Sequence, residues 1–322
     1  MAPAYPEALD TALDGVDWPD WLERLRAATD EDGYAEPLGG DHAAIFVEHA
    51  PVLLVSFENF ASVRETSPGA QPVSWELSRR FGWSSLSLIC RSDTWFRESR
   101  VYGYFDRLVD EGFFDEFEQV LFYGAGACGY AAAAFSVAAP GAQVLLVQPQ
   151  ATLDPDLAGW DGRFRRQRRR DFTSRYGYGP DMLDACDRAT VLYDPEIEED
   201  AMHAALYARP GVTRLRARFL GPRLDRALRR MDLLAPLARA AADGALTETE
   251  FATLFRARRT DLPYIKAVLS RLEDDGRLWL NARLAHYAMR TTPGPRFRRS
   301  ARAAYARAAA QGTPMPPREE ID

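Results

Sequence analysis

QVLFYGAGACGYAAAAFSVAAPGAQVLLVQPQATL, residues 119–153, decides the fold class. Its opening, 119–123, is a short apolar run without alternation, the pattern of a strand covered on both faces by helices. Gly124-Ala125-Gly126-Ala127-Cys128-Gly129 then turns the chain into an alanine-rich run over 130–139. Small side chains let such a helix lie close against a sheet. Pro140-Gly141 stops it, because proline removes a backbone donor and glycine permits positive φ. The run 144–147 returns as a second buried strand, parallel to the first.

Outward from this unit, strand signals at 43–47, 52–57, 86–90, 190–193 and 212–218 alternate with helical patterns at 74–81, 102–112 and 198–207. That alternation predicts an α/β fold, a mostly parallel sheet flanked by helices. The runs 43–47 and 52–57 are close enough to form a hairpin. An acidic stretch interrupted by Pro and Gly, 1–40, reads as an N-terminal arm, with a short helix near Trp21 capped by Asp20. The core is expected over 41–222 and a helical C-terminal extension over 223–310. In that extension Thr247 and Glu250 form a capping box. The tail at 311–322, GTPMPPREEID without its leading Gln311, has the composition of a disordered segment.

Composition narrows the function classes. At 322 residues and 47% hydrophobic content the chain can bury a large core. A net charge of −7 argues against nucleic acid as a partner, since that role needs a basic field. Cys90, Cys128 and Cys186 form neither a C-x-x-C pair nor a disulfide framework, which places the chain in a reducing cytoplasm. The start MAPAYPEALD lacks the features of a signal peptide, and no apolar run reaches membrane-spanning length. His42 and His49, with Asp41 and Glu48, match no metal spacing, and no cofactor is expected.

The glycine turn has two physical uses. Gly124, Gly126 and Gly129 satisfy G-x-G-x-x-G between a strand and a helix, the context for an NAD(P)-binding oxidoreductase. Against it, the next strand runs into Val147-Gln148-Pro149-Gln150 with no acid for a ribose, and the turn lies mid-chain. The second use is a nucleophile elbow, which projects a side chain above the sheet.

On this second count, LFYGAGACGYAAAAFSVAAPGAQVLLVQPQATLDP resembles the elbow region of bacterial α/β-hydrolase-like proteins, where Gly-x-Ser-x-Gly-Gly-Tyr-Ala is typical. The resemblance extends more weakly over 52–220. It puts the nucleophile position on Gly126, the triad acid on Asp194 and an oxyanion-hole loop at Asn59 and Phe60, beside Ala127. It also makes 154–187 a cap insertion. Serine is missing at the elbow, and no histidine occurs between His203 and His286, where the triad would need one. Losing the serine alone lowers kcat on the order of a millionfold. What the resemblance implies is a hydrolase fold without its chemistry, a pseudoenzyme that binds or regulates.

Two further readings stay open. Cys128, near a helix N-terminus, could serve a thiol-dependent hydrolase or acyltransferase, with His203 as base and Asp194 or Asp200 behind it; a buried core thiol is the plainer role. The arginine cluster around Arg166 and Arg169 could receive a small anionic ligand through bidentate contacts, or simply be a solvated helical face. Proteins with this look have been labelled phosphoadenosine phosphosulfate reductase. The S-G-G-x-D-S loop and C-terminal cysteine motif by which such reductases resemble one another are absent.

Overall fold

A computed structural model describes residues 12–291 and 294–317. The elements run α1 (Trp18–Thr29), β1 (Gly33–Pro37), β2 (His42–Val47), β3 (Val52–Asn59), α2 (Phe60–Thr66), α3 (Val73–Phe81), β4 (Ser84–Cys90) and α4 (Ser99–Asp110). Then come β5 (Gln119–Ala125), α5 (Ala127–Phe135), β6 (Gln143–Val147), α6 (Pro155–Ala158), α7 (Gly179–Met182), β7 (Arg188–Tyr193), α8 (Glu198–Leu206) and β8 (Val212–Arg216). The chain continues through α9 (Leu224–Arg230), α10 (Leu234–Ala242), α11 (Glu248–Leu254), α12 (Leu262–Asp274), α13 (Leu278–Thr291) and α14 (Pro295–Gln311).

Eight strands form one sheet in the order β1-β2-β4-β3-β5-β6-β7-β8. The pairs β1·β2 and β2·β4 are antiparallel and all others are parallel. This is the mostly parallel, helix-flanked α/β sheet that residues 119–153 predict. The expected hairpin is not formed. β4 lies between β2 and β3, antiparallel to one and parallel to the other, because its run SSLSLIC is buried on both faces and takes a central place.

Alternate side chains of each strand enter two apolar layers. On one face Val55, Phe57, Leu88, Phe122 and Leu146 pack with α4 and α5. On the other, Leu54, Leu121, Leu145 and Leu215 meet Leu228, Leu234, Leu237 and Phe251 of α9, α10 and α11. The C-terminal extension therefore begins as part of the core: without α9–α11 one face of the sheet would be bare. The helices α12–α14 have clusters of their own, built on Ile265, Leu269, Ala285 and Phe297, with Leu278 beside Ala304. At the other end, the stretch expected as an arm supplies α1 and the edge strand β1. Trp18, Trp21 and Leu25 pack on Ile45 and Val47 of β2. The cap of α1 is Asp17, which accepts from the Asp20 amide, rather than Asp20 itself. Thr247 caps α11 as expected, accepting from Glu250 N at 3.2 Å. Of the expected tail, Gln311 ends α14, 312–317 follow it, and 318–322 lie outside the described residues.

The chain builds leftward from β3 to β4 and rightward from β5 to β8, so strand order reverses between β3 and β5. Crevices at the carboxyl ends of such a pair are where ligands bind in open α/β sheets.

Candidate functional site

The turn after β5 assigns its three glycines two different tasks. A Cβ on Gly124 would sit 2.2 Å from the Cys128 carbonyl oxygen, and one on Gly129 would sit 3.1 Å from the Gly124 carbonyl oxygen. Those two glycines let α5 pack down on the end of β5. Gly126 differs. Its φ of 58° and ψ of −126° belong to a region that side-chain-bearing residues rarely adopt, and a Cβ there would meet nothing within 4 Å. Its amide donates to Val147 O at 2.9 Å and its carbonyl accepts from Tyr130 N at 3.0 Å. The turn is sharp, with a hydrogen at its apex and free space above. The G-x-G-x-x-G spacing is thus explained by packing and backbone geometry.

Over this turn, at the reversal of strand order, lies a cavity of about 410 Å³. Its wall includes Glu58, Asn59 and Ser62 from β3 and α2, Gly126, Ala127 and Cys128 from the elbow, and Gln148 and Gln150 beyond β6. Arg163 and Phe164 close it from the segment between β6 and β7. Asp200 comes from α8, and Asp225 and Arg229 from α9. Five of the sequence-derived candidates, Asn59, Gly126, Ala127, Cys128 and Asp200, therefore share this wall. The others do not reach it. Gly124 lies beneath α5, and Arg166 and Arg169 are exposed on the insertion. Phe60 packs edge-on against Trp18 and Trp21.

The amides of Ala127, Cys128 and Gly129 open α5 and have no carbonyl a turn earlier to accept them. On the facing side, Asn59 Oδ1 accepts from Ala61 N (3.0 Å) and Ser62 N (3.4 Å), capping α2. The Ala61 and Ser62 amides are thus already taken by the cap. Tyr123, buried at 4% exposure, lines the cavity with a hydroxyl that has no partner among the described residues. Burial, and then the charges of Asp225 and Glu58, push its pKa far up, so it stays a neutral donor. Gln150 also lines the cavity, and its Oε1 is buried without a partner.

One ionic network holds the segment between β6 and β7 over this wall. Asp161 receives Arg163 through Nε and Nη2, while Arg163 Nη1 donates to Asp200 at 2.7 Å. Asp200 in turn accepts from Gln148 Nε2 at 2.6 Å, and Gln148 Oε1 accepts from Leu224 N at 2.6 Å. His203, fully buried in α8, accepts from Ala151 N on Nδ1, which leaves Nε2 to donate to Asp161 at 3.1 Å. Burial alone would raise the Asp161 carboxyl. The bonds from His203 and Arg163 outweigh it and hold the group well below the usual carboxylate range.

Asp194, Cys128 and His203 are not joined. Asp194 sits at the end of β7, 1% exposed, as a triad acid would. Its Oδ1 accepts from Glu196 N at 3.0 Å and its Oδ2 from Gly221 N at 2.8 Å. A backbone amide from the loop after β8 occupies the carboxylate. Both ring nitrogens of His203 are committed elsewhere. The influence of the neighbouring Cys90 thiol, and then burial, raises the pKa of the Cys128 thiol well above the ordinary range. A protonated, buried thiol is a poor nucleophile. For a dinucleotide, the position that should carry a ribose-binding acid is Gln148, whose carboxamide is spent on Asp200 and Leu224.

Sequence reasoning missed Tyr123, Gln148, Gln150 and Asp225 as wall residues, and saw Arg163 only as a member of the arginine cluster. Two signals were present: Glu58, a lone charge at the end of the buried run VLLVSFEN, and the glutamines directly beyond β6. Nothing in the sequence around Asp225 distinguishes it from other acids on a helix.

No family model matches the chain, and no curated protein matches it. Among solved structures it is similar to a hyperthermophilic esterase from the archaeon Pyrobaculum calidifontis, at 15% identity over 72% of this chain and 95% of that one, TM-score 0.44. It is also similar to brefeldin A esterase, described as a bacterial homologue of human hormone-sensitive lipase, at 16% identity over 76% and 94%, TM-score 0.43. A third is carboxyl esterase 2 from the mycorrhizal fungus Tuber melanosporum, at 14% identity over 66% and 86%, TM-score 0.40.

Proposed function

We propose that this chain is a non-catalytic binding protein built on a hydrolase-type sheet, with the cavity over Gly126 as its ligand site. The observation that carries the proposal is the closure of Asp194 by the Gly221 amide, in the loop where a triad imidazole would have to stand. An elbow apex without a nucleophile agrees with it. The ligand is a small molecule bearing a carboxylate or carbonyl oxygen. The open amides at the start of α5 and the Tyr123 hydroxyl would receive that oxygen, and Gln150 Oε1 would accept from a donor elsewhere on the molecule. Arg166 and Arg169 take no part, being exposed away from the wall.

Hydrolysis of p-nitrophenyl butyrate by the purified protein tests this. Turnover no faster than the buffer blank is expected, both for the native chain and for Gly126→Ser, because restoring a hydroxyl supplies neither an imidazole nor a free acid. Saturable turnover by the native chain, abolished in Cys128→Ala, would establish the thiol enzyme instead.

A further inference from the structure

The last strand of the sheet, β8, is a free edge. Ala189 N donates to Gly211 O at 3.1 Å and Ala217 N donates to Tyr193 O at 2.8 Å. Odd-numbered residues of this strand therefore bond to β7, and the ladder's alternation turns the amides and carbonyls of Arg214 and Arg216 away from the sheet. Both arginines are exposed, and no hydrogen bond or ion pair joins either guanidinium to another described residue. Arg218, next on the same side, is held by Glu196 at 2.9 Å. Beside the edge runs a groove of about 870 Å³, walled by Phe251 and Phe255 at the end of α11 and by Tyr264 of α12. Arg214, Arg216, Arg218 and Arg258 line it against a single acid, Glu248.

Proteins ordinarily blunt an edge strand with charged side chains, proline, a bulge or a covering element, and charges of a single sign still leave the edge open to a strand of opposite sign. This one carries two unpaired arginines, outward-facing main-chain groups and an aromatic wall. We propose that β8 receives an extended acidic segment of a partner protein as a ninth strand. The segment's backbone pairs with Arg214 and Arg216. Carboxylates on alternate residues meet the two guanidinium groups, and the residues of opposite phase enter the groove against Phe251 and Phe255. The positions i and i+2 on one face of β8 match the spacing of alternate side chains on a strand. A second copy of this chain fits poorly, since antiparallel self-pairing brings arginine opposite arginine. Nucleic acid offers no main-chain partner for the edge and meets a chain of net charge −7.

The test is fluorescence anisotropy of the full chain with three labelled peptides: alternating Glu-Val, alternating Lys-Val, and the Glu-Val peptide N-methylated on its pairing face. Saturable binding of the first alone is expected, weakening with salt. In Arg214→Glu/Arg216→Glu the affinity should fall on the order of tenfold or more, with an unchanged unfolding midpoint because both residues are exposed. Equal binding of the Lys-Val or N-methylated peptide would overturn the proposal. So would a homodimer in light scattering that the double variant dissociates, or binding of an oligonucleotide that the variant abolishes.

Discussion

A glycine two residues before another can be doing something else entirely, and the pair 124 and 126 shows it. Gly124→Ala drives a methyl into the Cys128 carbonyl, a backbone atom that cannot move without displacing α5, so the variant should unfold or lose several-fold more stability than its neighbour. Gly126→Ala meets no atom and should lose only the strain of its backbone conformation, roughly 1–3 kcal/mol. Urea denaturation of the two variants checks the order. The spacing of these glycines is legible in the sequence, but their division of labour depends on φ and on the approach of α5. Glu58 makes a pH prediction. Burial raises its carboxyl above the ordinary value, against bonds from the Val73 amide, the Ser56 hydroxyl and the Ser74 amide. The unfolded chain gives up this proton near pH 4.3, roughly. Between there and the raised folded value the native state binds more proton, so this group makes stability fall as pH rises. Glu58→Gln should flatten that slope in unfolding curves taken across the acid range. Cys128 should resist iodoacetamide in the native protein and react only on unfolding, since its thiol is buried and held protonated.

The segment between β6 and β7 contains only short helical turns, and the ionic network ties it to α8 together with apolar contacts such as that of Trp160 on His203. Asp161 has a fully buried side chain serving both Arg163 and His203. Asp161→Ala strands both partners and should reduce stability by about 3–5 kcal/mol. Its folded pKa is depressed, so its contribution is complete above about pH 4 and is lost as pH falls toward the folded value. Asp161→Asn should remove that acid-side loss, read from chemical denaturation. The sequence put Asp200 and His203 on one face of α8, and the two are buried together there. It pointed to Arg166 and Arg169 instead of Arg163 because a run of arginines has no periodicity that selects the one facing an acid. The false hairpin has a similar cause. Two β-patterned runs separated by a short turn look paired, and only the strand from 84–90, inserted later in the chain, separates them.

The molecule as a whole divides less by sequence than by apolar contact. The boundary expected near 223 follows a change from mixed to helical pattern, yet α9–α11 belong to the sheet. We propose that the separable unit is α12–α14, which packs chiefly on itself and is tied to the core by the bidentate Arg230–Asp261 pair and the Phe255–Tyr264 contact. A chain ending at residue 260 should keep its far-ultraviolet spectrum and unfold cooperatively, whereas one ending at 222 should be insoluble, with Leu121, Leu145 and Leu215 uncovered. No helix among the described residues is long and apolar enough to cross a membrane. The fold class was legible because a buried strand, a glycine turn and an alanine-rich helix have few other solutions. The cavity was not, because its wall is assembled from seven separate stretches that only the sheet brings together. The most direct measurement of the binding-protein account is intact-mass analysis after exposure to a fluorophosphonate. The account predicts no adduct. A stoichiometric adduct mapping to a cavity residue such as Ser62 would contradict it.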